Sequence, residues 1–403
     1  MRSFAFITAF VALLALSACD FTVENPGPVR DELLNDSTAF PAIVEGMERA
    51  LGEALNWIAY TGAAISQEIS PAGSIGNFGI APAQKAGRLN ANDNDTHWNN
   101  AQEARWVAES GIERMRERLG DAFGSDALAA EALIWSGFAN RLLGENMCEA
   151  VIDGGASQPS AVYLERAEAD FTEALDIARA AGDAALEDIA LAGRASVRVS
   201  LGNWEGATAD AAAVPEDLVF AMPYFDIAQD QYNRIFWANA NEPYRAHSVV
   251  DTYYEDYYTE TDDPRVAWGF NPDIPVGDVG EVRWLYQLKY DDRTSAIPLV
   301  TGDEMQLILA EAALREGNWQ DALQTINTVR AEADVAPWEA SSLDEAWTRL
   351  KRERGIVLWL EARRLGDLRR WTEDNTPGEM EDMAGRDLCF PIGQTEIETN
   401  TNL

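Results

Sequence analysis

Histidine, lysine and cysteine are scarce in this 403-residue chain. There are two histidines, His97 and His247, far apart and beside no nucleophile motif. No Gly-x-Ser-x-Gly, His-Glu-x-x-His or phosphate-binding glycine loop occurs, so the common frameworks for hydrolysis and phosphoryl transfer are missing. Carboxylates are plentiful, but no pair stands out as a glycosidase acid and base. The reading is a protein without catalysis, cofactor or metal. Positive charge is also short: 31 Lys and Arg stand against 68 Asp and Glu, a net charge of −37. Such acidity argues against nucleic-acid binding, which needs clustered cations, and against lying on anionic lipid. Lys85, Lys289 and Lys351 are the only lysines. An acidic, lysine-poor surface suits a saline habitat, where salt shortens self-repulsion. A GC-rich genome would equally favour arginine, and both explanations stay open.

Long apolar runs are absent except at the N-terminus. Arg2 precedes the apolar stretch from Phe4 to Leu16, and small residues follow at Ser17-Ala18-Cys19. The stretch is shorter than the roughly 20 residues of a permanent span. It reads as a signal peptide over 1–18, with Cys19 acylated as the new N-terminus. Removing 1–18 takes away Arg2 and no acid, so the charge moves from −37 to −38. Residues 19–30 read as a lipidated tether, because Pro26 and Pro28 oppose helix. The remaining pair, Cys148 and Cys389, is either a disulfide or two buried thiols. An exported protein favours the disulfide.

The body, 31–403, reads as one unit. Phe40, Ile43, Val44, Met47, Leu51 and Leu55 recur at helical spacing. Residues 62–98 turn rich in Gly, Asn and Asp, and long loops of this kind often carry function. Helical patterning resumes near Asn99, and 126–214 reads as antiparallel helices, including Tyr163–Ala181. Leu201-Gly-Asn-Trp-Glu-Gly-Ala207 is echoed by Arg315-Glu-Gly-Asn-Trp-Gln-Asp-Ala322. The shared Gly-Asn-Trp resembles the turn of a tetratricopeptide repeat, with Gly ending one helix and the aromatic covering the turn. Generic helical hairpins are the plainer alternative. Residues 215–300 lose helical period and gain aromatics.

The C-terminal part, 301–403, opens with a helical pair, Asp303–Leu314 and Asn318–Arg330. A charged helix is expected over Lys351–Trp371, followed by Cys389-Phe-Pro-Ile392 and Glu396. In this order these pieces resemble the C-terminal region of SusD/RagB-family lipoproteins. Asp262-Asp-Pro-Arg265 is similar to a loop of that family, whereas Thr301 stands where an arginine is common. The resemblance implies a mainly α fold, a TPR-like helical-repeat scaffold with a loop-rich irregular lobe. It also implies a surface-exposed, lipid-anchored protein of the cell outer membrane. Such a protein binds a glycan, or alternatively a peptide, and delivers it to a SusC-like TonB-dependent receptor. The competing reading is a TPR scaffold lipoprotein of envelope assembly with no small-molecule ligand.

The arginines of 351–371 look like an anion site. They read better as ion-pair partners of Glu353, Glu361 and Asp367, since guanidinium forks suit partly buried pairs. Asn92-Asp-Asn-Asp95 beside His97 lacks the glycine and closing glutamate of a calcium loop and reads as a polar turn. Ligand capture then falls to aromatics, whose faces stack on sugar C–H surfaces while amides meet the hydroxyls. The expected ligand residues are Trp57, Tyr60, Phe78, Trp98, Asn92 and Asn94 around the first loop, with Trp237 and Trp284 in the second.

Overall fold

The computed structural model describes residues 34–73, 80–240, 244–278 and 280–403. Residues 1–30, expected as signal peptide and lipidated tether with Cys19, and Phe78 lie outside the described residues. Among the described residues no helix is long and apolar enough to cross a membrane.

Helices dominate. α1 (Phe40–Ile65) begins amphipathic, burying Phe40, Val44, Met47 and Leu51 at helical spacing. From Ile58 to Ile65 it is buried all round, because its second half runs through the core. A short α2 (Pro82–Lys85) precedes α3 (Asp95–Leu119), which packs along α1. α4 (Ala127–Asn146) starts where the Asp126 carboxylate accepts from the amides of Leu128 and Ala129, a standard N-cap. α5 (Ala161–Ala181), α6 (Ala184–Ser200) and α7 (Trp204–Ala211) continue the antiparallel stack. The stack is close because Gly137 of α4 and Gly193 of α6 face the ring of Phe171. A Cβ at either would stand 2.8 or 2.4 Å from it.

The aromatic stretch after α7 holds α8 (Tyr253–Thr261) and most of the short strands. Among the described residues, sheet is confined to four two-stranded antiparallel ribbons: β1 (Ser70–Pro71) with β5 (His247–Ser248), β2 (Glu149–Ala150) with β3 (Gln158–Pro159), β4 (Val219–Met222) with β8 (Ile297–Thr301), and β6 (Trp268–Phe270) with β7 (Leu285–Gln287). α9 (Gly302–Arg315), α10 (Trp319–Glu332), α11 (Leu343–Val357), α12 (Arg364–Glu373) and α13 (Gln394–Thr399) complete the chain. Thr301 caps α9, its hydroxyl accepting from the Glu304 amide at 3.1 Å. Both Gly-Asn-Trp turns end a helix with a left-handed glycine, φ 73° at Gly202 and 84° at Gly317. The two turns meet, with the Arg315 guanidinium 4.2 Å from the Trp204 ring centroid.

The helix expected over Lys351–Trp371 is two helices. α11 stops at Val357, and Leu360 and Ala362 adopt φ near 60° before α12 begins. The left-handed Leu360 is held from afar: its amide donates to the buried carboxylate of Glu68 at 2.7 Å, and Trp359 donates to the Glu68 carbonyl. Burial pushes the Glu68 carboxyl up to about 7. The arginines of this region are architectural. Arg363 forks onto Glu145 of α4 and Glu304 of α9, Arg354 onto Asp367, and Arg370 onto Glu311. Asp263 and Arg265 join the same lattice through Glu353, which also takes Arg330 and the Trp338 indole. Cys148 and Cys389 are disulfide-bonded with Cα atoms 5.0 Å apart, beside reciprocal backbone bonds to Phe390.

Candidate functional site

The polar face of α1 carries Arg49, Glu53 and Trp57 at successive i, i+4 positions, opposite its buried stripe. Asn56, buried beside them, clips the aromatic stretch onto this helix. Its amide nitrogen donates to the Tyr232 carbonyl at 2.8 Å, and its oxygen accepts from the Arg234 amide at 2.9 Å. From the other side, Asn233 donates to the Ser295 carbonyl and its own amide bonds to the Arg293 carbonyl, both at 2.8 Å. The segment is thereby fixed residue by residue, and Arg234 is delivered over α1. Its guanidinium stacks on Trp57, 3.5 Å from the ring centroid. A π-helical turn, Phe236–Ala240, then places Trp237 against Tyr232 and Tyr244, at ring separations of 5.9 and 4.8 Å.

Between these elements opens a cleft of about 360 Å³. Trp57, Tyr232 and Trp237 supply aromatic surface; Glu53, Asp230 and Arg234 supply charged hydrogen-bonding groups. Thr96 of α3 and Gln229 close the rim. Burial, then the neighbouring charges of Asp230 and Glu103, raises the Glu53 carboxyl above its usual range. Such a cleft can stack on an apolar ring face while exchanging hydrogen bonds with hydroxyls around it. The two histidines do not line it, and burial pulls both His97 and His247 down to about 3, so both are neutral.

Of the expected ligand residues that the structure describes, Trp57 and Trp237 meet in this cleft, and Tyr60, Trp98, Asn92, Asn94 and Trp284 lie elsewhere. Trp98 is 1% exposed and packs in the core beside Gly393, because it lies on the same face of α3 as Ala101, Ala108 and Met115. Tyr60 is buried one turn below Trp57, with its ring 4.3 Å from His247. Trp284 is also buried and packs against Tyr286, with ring centroids 4.7 Å apart. Asn94 is a structural amide, bonded to the Asn90 carbonyl and the Gln84 side chain. Asn92 is exposed on a separate turn and does not line the cleft. Asp93 and Asp95 of that turn bond to Asn90 and Thr395. Reading individual residue types missed Tyr232, Arg234, Glu53 and Asp230. A signal for Glu53 was present: it shares the polar face of α1 with Trp57.

A helical scaffold carries an irregular lobe, and the aromatic cleft opens where the two meet. Residues 303–402 match the SusD family, and no curated protein matches the chain. Among solved structures, a SusD superfamily protein from Bacteroides vulgatus ATCC 8482 has 16% identity and a TM-score of 0.66, over 91% of this chain and 98% of that one. A laminarin-binding SusD-like protein aligns at 12% identity and TM-score 0.66, covering 91% and 98%. A chitin-binding SusD homologue from Flavobacterium johnsoniae aligns at 12% and 0.65, covering 89% and 94%. The chain thus shares the fold of SusD-superfamily structures, and its C-terminal quarter matches the SusD family.

Proposed function

We propose that this protein captures a glycan at the Trp57–Trp237 cleft without breaking a bond and passes it to a TonB-dependent receptor. Cys19 would tether it to the cell outer membrane, on the outward face. The observation that carries the reading is the cleft: clustered aromatic surface with guanidinium, carboxylate and amide groups at its rim. Two relatives of the same fold are named for the laminarin and chitin they bind, which supports a sugar over a peptide. The signal-and-cysteine pattern at 1–19 supports export and anchoring.

Calorimetry with β-glucan and chitin-derived oligosaccharides, and with peptides as the other arm, tests it. Trp57→Ala should weaken glycan binding about tenfold or more, the scale of a lost aromatic stack together with its displaced Arg234. Unchanged affinity in the folded variant, or binding of peptides alone, refutes the glycan assignment. Purification from gently solubilised membranes should bring a β-barrel receptor with the protein; its consistent absence would remove the transport step.

A further inference from the structure

Two more depressions adjoin the cleft. One, of about 200 Å³, lies on the Glu48–Gly52 side of α1 beneath Phe225; the other, of about 340 Å³, lies on its Gly46–Ala50 side against α3. Glu53 lines all three, so they are neighbours around one side chain. The Arg49–Asp230 ion pair, 2.5 Å long and solvent-exposed, crosses from α1 to the facing turn where the Phe225 arm joins the cleft. From Trp57 to Glu45, α1 runs about 18 Å, long enough for a chain of several sugars.

The Phe225 arm is built as a surface and held in place. The Phe225 amide donates to the Gln231 carbonyl at 2.9 Å, and the buried Tyr224 hydroxyl donates to the Gly52 carbonyl at 3.0 Å. The ring of Phe225 is nevertheless 46% exposed, and Ile227 beyond it is more exposed still. Glu45, Glu48, Glu53 and Glu103 join Asp230 in lining the groove, against Arg49 and Arg234, while Arg293 lies over the Tyr232 ring and pairs with Asp226. Arg49 is already spent on Asp230.

Building on the glycan reading, we propose that the bound chain continues past Trp57 into a second subsite at Phe225, and that the groove takes neutral sugar chains while rejecting anionic ones. Phe225 supplies a second apolar face for a pyranose ring. The carboxylates accept hydrogen bonds from neutral hydroxyls, which donate freely. A uronate or sulfate would be set among like charges well inside one screening length, roughly 8 Å at physiological salt.

The test is binding of a neutral trisaccharide and hexasaccharide of one β-glucan or chitin series, with oligogalacturonates of matched length. Phe225→Ala changes an exposed side chain, and its folding is checked by circular dichroism. It should weaken the hexasaccharide roughly five- to tenfold and leave the trisaccharide nearly unchanged. Oligogalacturonates should bind at least about tenfold more weakly than neutral chains, and Glu48→Gln with Glu53→Gln should narrow that gap. Equal effects of Phe225→Ala on both lengths, or none, overturn the second subsite. Oligogalacturonate binding as tight as neutral binding overturns the charge selection. Neutral binding that falls in Trp57→Ala but not in Phe225→Ala removes the extension and leaves the glycan reading standing. No binding of any oligosaccharide removes both.

Discussion

The sharpest test of the architecture is Arg363→Met. Arg363 is the joint between the N-terminal helical stack and the C-terminal helices. Its guanidinium makes four hydrogen bonds of 2.8–3.2 Å, two to Glu145 of α4 and two to Glu304 of α9. All three side chains are at most 6% exposed. Burial alone would push the Glu304 carboxyl up, but Arg363, with Arg354 and Arg141, outweighs it and holds the carboxyl below its usual 4.5. Methionine keeps much of the volume and leaves two buried carboxylates facing a neutral neighbour. Breaking a buried pair from one side costs about 3–5 kcal/mol, and this site has two acids to strand. Urea denaturation near pH 7 should show that loss with an unchanged slope. The pH response should weaken. In the wild type, the Glu304 contribution is present above its unfolded value and lost as pH falls through the depressed folded one. In the variant, that acid-side loss should shrink, because only Arg354 and Arg141 still favour the charged carboxyl against burial. Adding Glu145→Gln and Glu304→Gln should recover most of the loss. A single-variant cost below about 1 kcal/mol would refute the claim that these arginines are structural, since exposed pairs contribute that little. So would loss of glycan binding in the folded fraction.

Two further outcomes follow from local geometry. Glu68→Gln should flatten the stability profile in the neutral range. The raised carboxyl contributes in its protonated form, fully below about 4.5 and lost as pH rises through about 7, so the wild type should lose up to about 3 kcal/mol across that interval. Chemical denaturation at several pH values reads this directly, and a parallel profile in the variant would refute it. Gly317→Ala should lower stability by about 1–2 kcal/mol in a thermal melt. Nothing lies within 4 Å of the added Cβ, so the cost is that of the left-handed backbone at φ 84°; no measurable change would mean the repeat turn rearranges freely.

How much of this was legible in the sequence depends on how local each cause is. The Gly-Asn-Trp turns could be read because a left-handed C-terminal residue is a local demand that glycine meets. The break after Val357 could not. Its left-handed residues are Leu360 and Ala362, neither of which advertises that conformation, and the carboxylate securing Leu360 comes from Glu68, on another part of the fold. The same contrast runs through the aromatics. Tryptophan type alone does not separate Trp57 from Trp98, yet their helical phases do. Trp57 falls in line with Arg49 and Glu53, away from the Met47–Leu51–Leu55 stripe, whereas Trp98 falls in line with Ala101, Ala108 and Met115. Phase would therefore have kept the first and discarded the second. It would not have found Arg234 or Tyr232, which reach α1 only because Asn56 captures both backbone groups of a segment some 180 residues away. The cleft is thus half written in one helix and half in a tertiary contact. Changing Asn56 should therefore disturb ligand capture through Arg234 and Tyr232 while leaving Trp57 itself in place.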